Sequence, residues 1–190
     1  NDPILKALSL PTVMAITNAE AEGTERQLER LEEALENGLR LIQVRDKGWP
    51  PAQRLWFAET VTRLARSHGA LVVINDDADI ARRVAADGLH LSAAHLARLD
   101  ERPDFAWVGA SCHNAQEIAR AGELGLDYAL LGPVLPTPTH PEAAGLGWTE
   151  FARQRDGNSL PVFALGGMKK ETLDEAQAHG AHGIALMRGW

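Results

Sequence analysis

Two cations, Arg45 and Lys47, follow one short apolar run, and Asn75 and Asp76 follow another. A guanidinium and an ammonium two residues apart suit a highly charged anion such as pyrophosphate. Asp76 offers a hard oxygen ligand that could hold Mg²⁺ between pyrophosphate oxygens. Later in the chain, Gly166 and Gly167 would let backbone N–H groups approach a second anion with no Cβ in the way, and Arg188 could add charge there. The stretch LLGPVLPTPTHPEAAGLGW, Leu130 to Trp148, is stiffened by prolines, Pro138 among them. Thr137 and Thr139 could then present hydroxyls, beside His140, with little entropy left to lose. Gln43, Ser111 and Met187 also fall near the ends of apolar runs.

These residues need a scaffold that brings distant positions together. Short β-rich runs alternate with longer amphipathic ones: Val13–Thr17, LIQVR (41–45), LVVIN (71–75), GLHL (88–91), WVGAS (107–111), YALLG (128–132), VFAL (162–165) and GIAL (183–186). Helical patterns fill the gaps. One opens at Thr24 with Gln27 completing a capping-box pattern, and another at Ala115 with Asn114 as its cap. Strand–helix alternation with apolar strands implies a parallel sheet covered on both faces. Eight such units predict a (β/α)₈ barrel, with the eighth helix short or missing, over an open doubly wound sheet, because no G-x-G-x-x-G follows the first strand. Residues Ile4–Leu8 are placed to cover the gap left by that helix. In a barrel the candidate residues all fall on the C-terminal face, where such folds do their chemistry.

Composition narrows the classes. The chain has 190 residues and is 45% hydrophobic, enough for one full core, with residues 1–11 read as a linker or N-terminal extension and 12–190 as the barrel. A net charge of −7 argues against nucleic acid and anionic membrane surfaces as partners. No run approaches the length of a membrane span. The single cysteine, Cys112, cannot form an internal disulfide, which makes a reducing cytoplasm the expected compartment.

Plainer readings stand beside these. Arg45 and Lys47 are also readable as surface charges, Asp76 or Asp77 as a helix N-cap, and Gly166–Gly167 as a simple strand–helix turn. His90, between Leu89 and Leu91, reads as a hydrogen-bonded interior residue. His95, His113 and His140 match no compact zinc spacing. Cys112 reads as a small buried residue, and His68, His179 and His182 as structural.

The segments IQVRDK, VVIND, ADGLHLS, VGASCH, DYALLGPVLPTPTH, PVFALGG and HGIALMRG come in one order, and in that order the chain resembles the thiamine phosphate synthases from Val13 to Arg188. The resemblance implies a (β/α)₈ barrel that joins hydroxymethylpyrimidine diphosphate to a thiazole phosphate, releasing pyrophosphate with Mg²⁺ assistance. It implies that Gln43, Arg45, Lys47 and Asn75 contact the pyrimidine diphosphate, Asp76 binds Mg²⁺ and Ser111 contacts the pyrimidine. It assigns Thr137, Thr139, Gly167 and the Met187–Arg188 backbone to the thiazole phosphate, and places Pro138, His140 and Gly166 among the substrate-binding residues. The chain departs from the family in three places. His95 stands where a second Mg²⁺-binding aspartate is usual, His140 replaces a lysine, and Arg188 replaces a serine. Imidazole for carboxylate weakens a hard-cation site, so an alternative is a phosphate-binding or regulatory barrel. A TenI-type thiazole tautomerase is a further alternative, although Pro133 occupies its histidine position. GPVLPTPTHP and the RGW ending also resemble fusions to a Nudix (MutT-like) hydrolase, and a homodimer is a further expectation.

Overall fold

The computed structural model of the protein describes residues 2–137 and 144–190. Eight parallel strands close into a barrel in sequence order: β1 (Val13–Ile16), β2 (Leu41–Val44), β3 (Leu71–Asn75), β4 (Gly88–Leu91), β5 (Trp107–Cys112), β6 (Tyr128–Leu131), β7 (Val162–Leu165) and β8 (Gly183–Leu186). Closure comes where Val13 pairs with Ile184 and Met14 with Ala185. The strands are apolar along their length because both faces are covered. In LVVIN only Leu71 keeps partial exposure.

Helix α1 (Pro3–Ser9) precedes the barrel. Helices α2 (Ala19–Glu22) and α3 (Thr24–Glu36) join β1 to β2. Then α4 (Pro51–Arg66), α5 (Ala78–Arg83), α6 (Ala93–Arg98), α7 (Ala115–Glu123) and α8 (Gly147–Arg155) follow β2 to β6 in turn, and a 3₁₀ turn (Lys170–Thr172) with α9 (Leu173–Ala178) follows β7. Leu31, Leu35, Phe57, Val61, Ile118 and Phe151 on these helices are fully buried against Ile42, Val72, Leu89 and Val108 of the strands. Truncating a buried aromatic such as Phe57 to alanine costs about 3–5 kcal/mol.

Among the described residues no helix follows β8. Trp190 is buried there, its indole N–H donating to the Ile16 carbonyl at 3.2 Å while the Arg30 guanidinium lies 4.8 Å from its ring. Ile4–Leu8 does not fill that gap, contrary to expectation. Lys6 of α1 donates to the Ala106 carbonyl, pairs with Asp127 at 3.0 Å and sits over the Trp107 ring. Those residues begin β5 and β6, so α1 lies at the N-terminal end of the barrel.

The Thr24–Gln27 capping box is also absent. Gly23 is the N-cap of α3, and Gln27 is buried, accepting from the Asn18 N–H and donating to Glu22 at 2.9 Å. The extra turn α2 took the place of a loop entry and turned Gln27 inward. Asn114 does cap α7, accepting from the Glu117 N–H at 2.9 Å.

Inside the barrel, Leu10, Met14, Leu41, Leu130 and Phe163 form an apolar plug. Towards the C-terminal ends of the strands the interior turns polar, at Gln43, Asn75, His90 and Ser111.

Candidate active site at the C-terminal mouth of the barrel

Gln43 and Asn75 are joined directly. Asn75 Nδ2 donates to Gln43 Oε1 at 2.9 Å, and Gln43 Nε2 lies 3.5 Å from Met14 Sδ. Asn75 Oδ1 is buried and has no hydrogen-bond partner among the described residues. A buried acceptor left unmatched costs about 1–3 kcal/mol, which a ligand donor could recover.

The segment after β2 alternates. Asp46 turns inward and accepts from the Glu20 N–H at 2.8 Å; burial raises its pKa, against the pull of that N–H. Arg45 and Lys47 are exposed on either side. The Arg45 N–H donates to Thr17 Oγ1 at 2.9 Å, fixing the backbone, while its guanidinium pairs with no described residue. A cavity of about 30 Å³, roughly the volume of one water, lies behind the two cations against Asn75, Arg54 and Asp77.

Asp76 and Asp77 have separate jobs. Asp77 is the N-cap of α5, accepting from the Ile80 N–H at 3.0 Å, and pairs with Arg54 at 2.9 Å. Asp76 adopts a left-handed backbone, φ 57°, which aspartate tolerates better than most residues. Its N–H donates to the His90 carbonyl at 2.8 Å. The turn brings Oδ1 to the N-terminus of α6, where the Ser92 N–H donates to it at 2.7 Å and His95 Nδ1 lies 3.2 Å away. Oδ2 lies 3.6 Å from Lys47 Nζ. Burial pushes the Asp76 pKa upward, but Ser92, Lys47 and His95 outweigh it, so the carboxyl sits below its ordinary value. His95 therefore stands beside Asp76.

Ser111 faces the same mouth from β5. Its Oγ lies 2.9 Å from His90 Nε2, and His90 Nδ1 lies 2.9 Å from the Tyr128 hydroxyl. His90 is fully buried, and burial holds its pKa down at about 3. It is an interior residue, as its alternation with leucines implies. The Tyr128 ring fits because Gly109 has no side chain: a Cβ there would lie 2.0 Å from the ring. The sequence alone singled out neither Tyr128 nor Gly109. A large aromatic one strand over from a mid-strand glycine was the available signal.

The loop after β6 lies along the end of β7. The Val134 N–H donates to the Leu165 carbonyl at 2.9 Å and the Leu135 N–H to Gly166 at 3.1 Å. Gly166 (φ 105°) and Gly167 (φ 68°) lie beneath it, and a Cβ on Gly167 would lie 2.7 Å from the Pro136 carbonyl. The glycine pair thus serves close packing of two loops. Thr137 is half-buried at the end of this segment, and Pro138, Thr139 and His140 lie outside the described residues. Met187 and the exposed Arg188 follow β8 at the same end.

The other described histidines make contacts away from these groups. His182 Nε2 lies 2.9 Å from the Leu10 carbonyl, His179 stacks on Trp148, and His68 lies against Ser67. His113 pairs with Glu117 at 3.1 Å, and no group of three metal-ligating residues occurs among the described residues. Cys112 is buried, its thiol pushed up to about 12 by burial. No helix is long and apolar enough to cross a membrane among the described residues.

Comparison with known proteins agrees with the barrel fold. The family description "Thiamine monophosphate synthase" matches residues 13–190. The thiamine-phosphate synthase of Thermus thermophilus is 36% identical over 178 residues, covering 92% of this chain and 86% of that one. The putative thiamine-phosphate synthase 2 of Aquifex aeolicus is 34% identical, covering 94% and 96%. The structure of thiamine phosphate pyrophosphorylase from Pyrococcus furiosus superposes with a TM-score of 0.77 at 28% identity, covering 93% of this chain and 85% of that one. The chain belongs to the thiamine monophosphate synthase family.

Proposed function

We propose that the protein joins hydroxymethylpyrimidine diphosphate to thiazole phosphate, giving thiamine phosphate and pyrophosphate, as a transferase of thiamine biosynthesis. The observation that carries this reading is the grouping of Arg45, Lys47 and Asp76 beside Gln43, Asn75 and Ser111 at one barrel mouth. The carbon–oxygen bond between the pyrimidine methylene and the diphosphate breaks, and its electron pair leaves with pyrophosphate. Arg45 and Lys47 stabilise the charge gathering on that leaving group. The electron-rich pyrimidine, held by Gln43, Asn75 and Ser111, spreads the positive charge left on carbon. The thiazole nitrogen then attacks that carbon with its lone pair, and no general base is needed. Thr137, Thr139, the Gly166–Gly167 backbone and the Met187–Arg188 segment hold the thiazole phosphate; Pro138 and His140 flank Thr139 in the sequence.

Asp76 fits a Mg²⁺ ion that arrives with the diphosphate. Its carboxyl is held ionised, and Mg²⁺ is commonly held by one or two carboxylates with the remaining positions filled by phosphate and water oxygens. Bound there, the ion would neutralise diphosphate charge as the bond breaks. His95 orients Asp76 through the 3.2 Å contact and adds no second carboxylate.

Purified protein given both substrates and Mg²⁺ should form thiamine phosphate, measured by its fluorescent oxidation product. Absence of product over hours at high enzyme concentration contradicts the reading. His95 in place of aspartate supports a second one, a phosphate-binding or regulatory barrel; calorimetry showing no binding of thiamine phosphate or thiazole phosphate removes it. Thiazole tautomerisation has less support, because Pro133 has no titratable group. A Nudix domain in the same chain, a homodimer and a cytoplasmic setting complete the proposal. Mass spectrometry and sedimentation of the natural protein test the first two.

A further inference from the structure

We propose that Tyr128 and His90 are positioning residues that turn the Ser111 hydroxyl into a hydrogen-bond donor facing the mouth, so that it recognises a ring nitrogen of the pyrimidine. The inference rests on the synthase reading for the identity of the ligand, and on geometry alone for the direction of the bonds.

The chain of contacts runs from Tyr128 OH to His90 Nδ1 at 2.9 Å, then from His90 Nε2 to Ser111 Oγ at 2.9 Å. Tyr128 and His90 are both fully buried. A neutral imidazole carries one proton, so only two arrangements exist. With the proton on Nδ1, His90 donates to the Tyr128 oxygen. The phenol proton is then stranded, because that hydroxyl has no other partner among the described residues. With the proton on Nε2, Tyr128 donates to Nδ1, His90 donates to Ser111 Oγ, and every buried donor is matched. In that arrangement the Ser111 oxygen already accepts from His90, and its own proton points towards the ligand.

His90 is fully buried and its ring nitrogens meet only two hydroxyls, so the ring is held as the neutral imidazole. The Tyr128 ring is locked in place. It lies nearly parallel to the His90 ring at 5.7 Å, meets Phe163 edge-on, and occupies the space over Gly109. Rigid packing of this kind lets a remote hydroxyl fix a tautomer two strands away. The consequence is a polarity for recognition: Ser111 donates to a ring nitrogen and does not accept from an exocyclic amine.

The test is ¹⁵N NMR of the histidine side chains in the full chain, with and without Tyr128→Phe. Wild-type His90 should show the Nε2–H tautomer from pH 6 to 8, and Tyr128→Phe, which removes the phenol donor, should move the unprotonated Nδ1 signal downfield towards that of a ring nitrogen accepting no hydrogen bond. Tyr128→Phe should lower kcat/KM for the pyrimidine diphosphate roughly fivefold to tenfold, the range of one lost hydrogen bond that holds the His90 ring and, through it, Ser111. KM for thiazole phosphate should stay within about twofold. In a Ser111→Ala background the same change should have little further effect. A wild-type Nδ1–H tautomer, or a Tyr128→Phe defect undiminished by Ser111→Ala, overturns the inference. Product formation with the wrong tautomer refutes this inference alone. The expected tautomer without product refutes the synthase reading alone.

Discussion

Lys47 Nζ lies 3.6 Å from Asp76 Oδ2, linking the segment after β2 to the turn after β3 across the barrel mouth. Both side chains remain partly exposed, so the pair adds little to stability. Its value is positional. It sets a cation and an ionised carboxylate side by side, one suited to phosphate oxygens and the other to a metal that accompanies them. Arg45 stands two residues away with its guanidinium unpaired among the described residues.

Arg45→Ala should therefore lower kcat/KM by roughly 10²-fold, the usual effect of removing one preorganised charge partner from a developing anion. The melting temperature should move little, because the exposed guanidinium supports no described contact. Steady-state kinetics and thermal unfolding check both halves.

His95→Asp should lower the Mg²⁺ concentration needed for half-maximal activity by roughly tenfold, because a second carboxylate suits a hard cation better than imidazole does. Titration of activity against Mg²⁺ at fixed substrate reads it. An unchanged requirement means that His95 is remote from the metal.

Gly167→Ala should destabilise the fold by about 1–3 kcal/mol. It combines a left-handed backbone with a Cβ 2.7 Å from the Pro136 carbonyl. Urea unfolding measures the loss, and KM for thiazole phosphate should rise with it as the β6 loop is pushed away.

His90 gives the stability curve a defined slope. Its folded pKa, about 3, lies below the ordinary 6.5, so between those values the unfolded chain binds more protons than the folded one. The contribution is full above pH 6.5 and is lost as pH falls towards 3, by at most about 1.4 kcal/mol per pH unit. His90→Asn should flatten the wild-type dependence between pH 4 and 6.5, as read by unfolding at each pH.

The strands were legible because each is a short apolar run. LVVIN and GIAL sit in the structure within the predicted bounds. Arg45, Lys47, Asp76 and His95 were legible as a group because chemistry in a barrel gathers where strands end. The Tyr128–His90–Ser111 chain was not, because it depends on strand register and on the space over Gly109, which no local pattern records. Gln27 misled because a capping box and a buried glutamine share the same local sequence. Ile4–Leu8 misled because its docking depends on Lys6 reaching Asp127, a residue more than a hundred positions away.

The most direct measurement follows both substrates by ³¹P NMR during turnover. The diphosphate ester should disappear only when thiazole phosphate is present, with free pyrophosphate and thiamine phosphate appearing in equal amounts, and Arg45→Ala should slow both together. An ester that persists, or one that breaks down to pyrophosphate with no thiamine phosphate formed, contradicts the account.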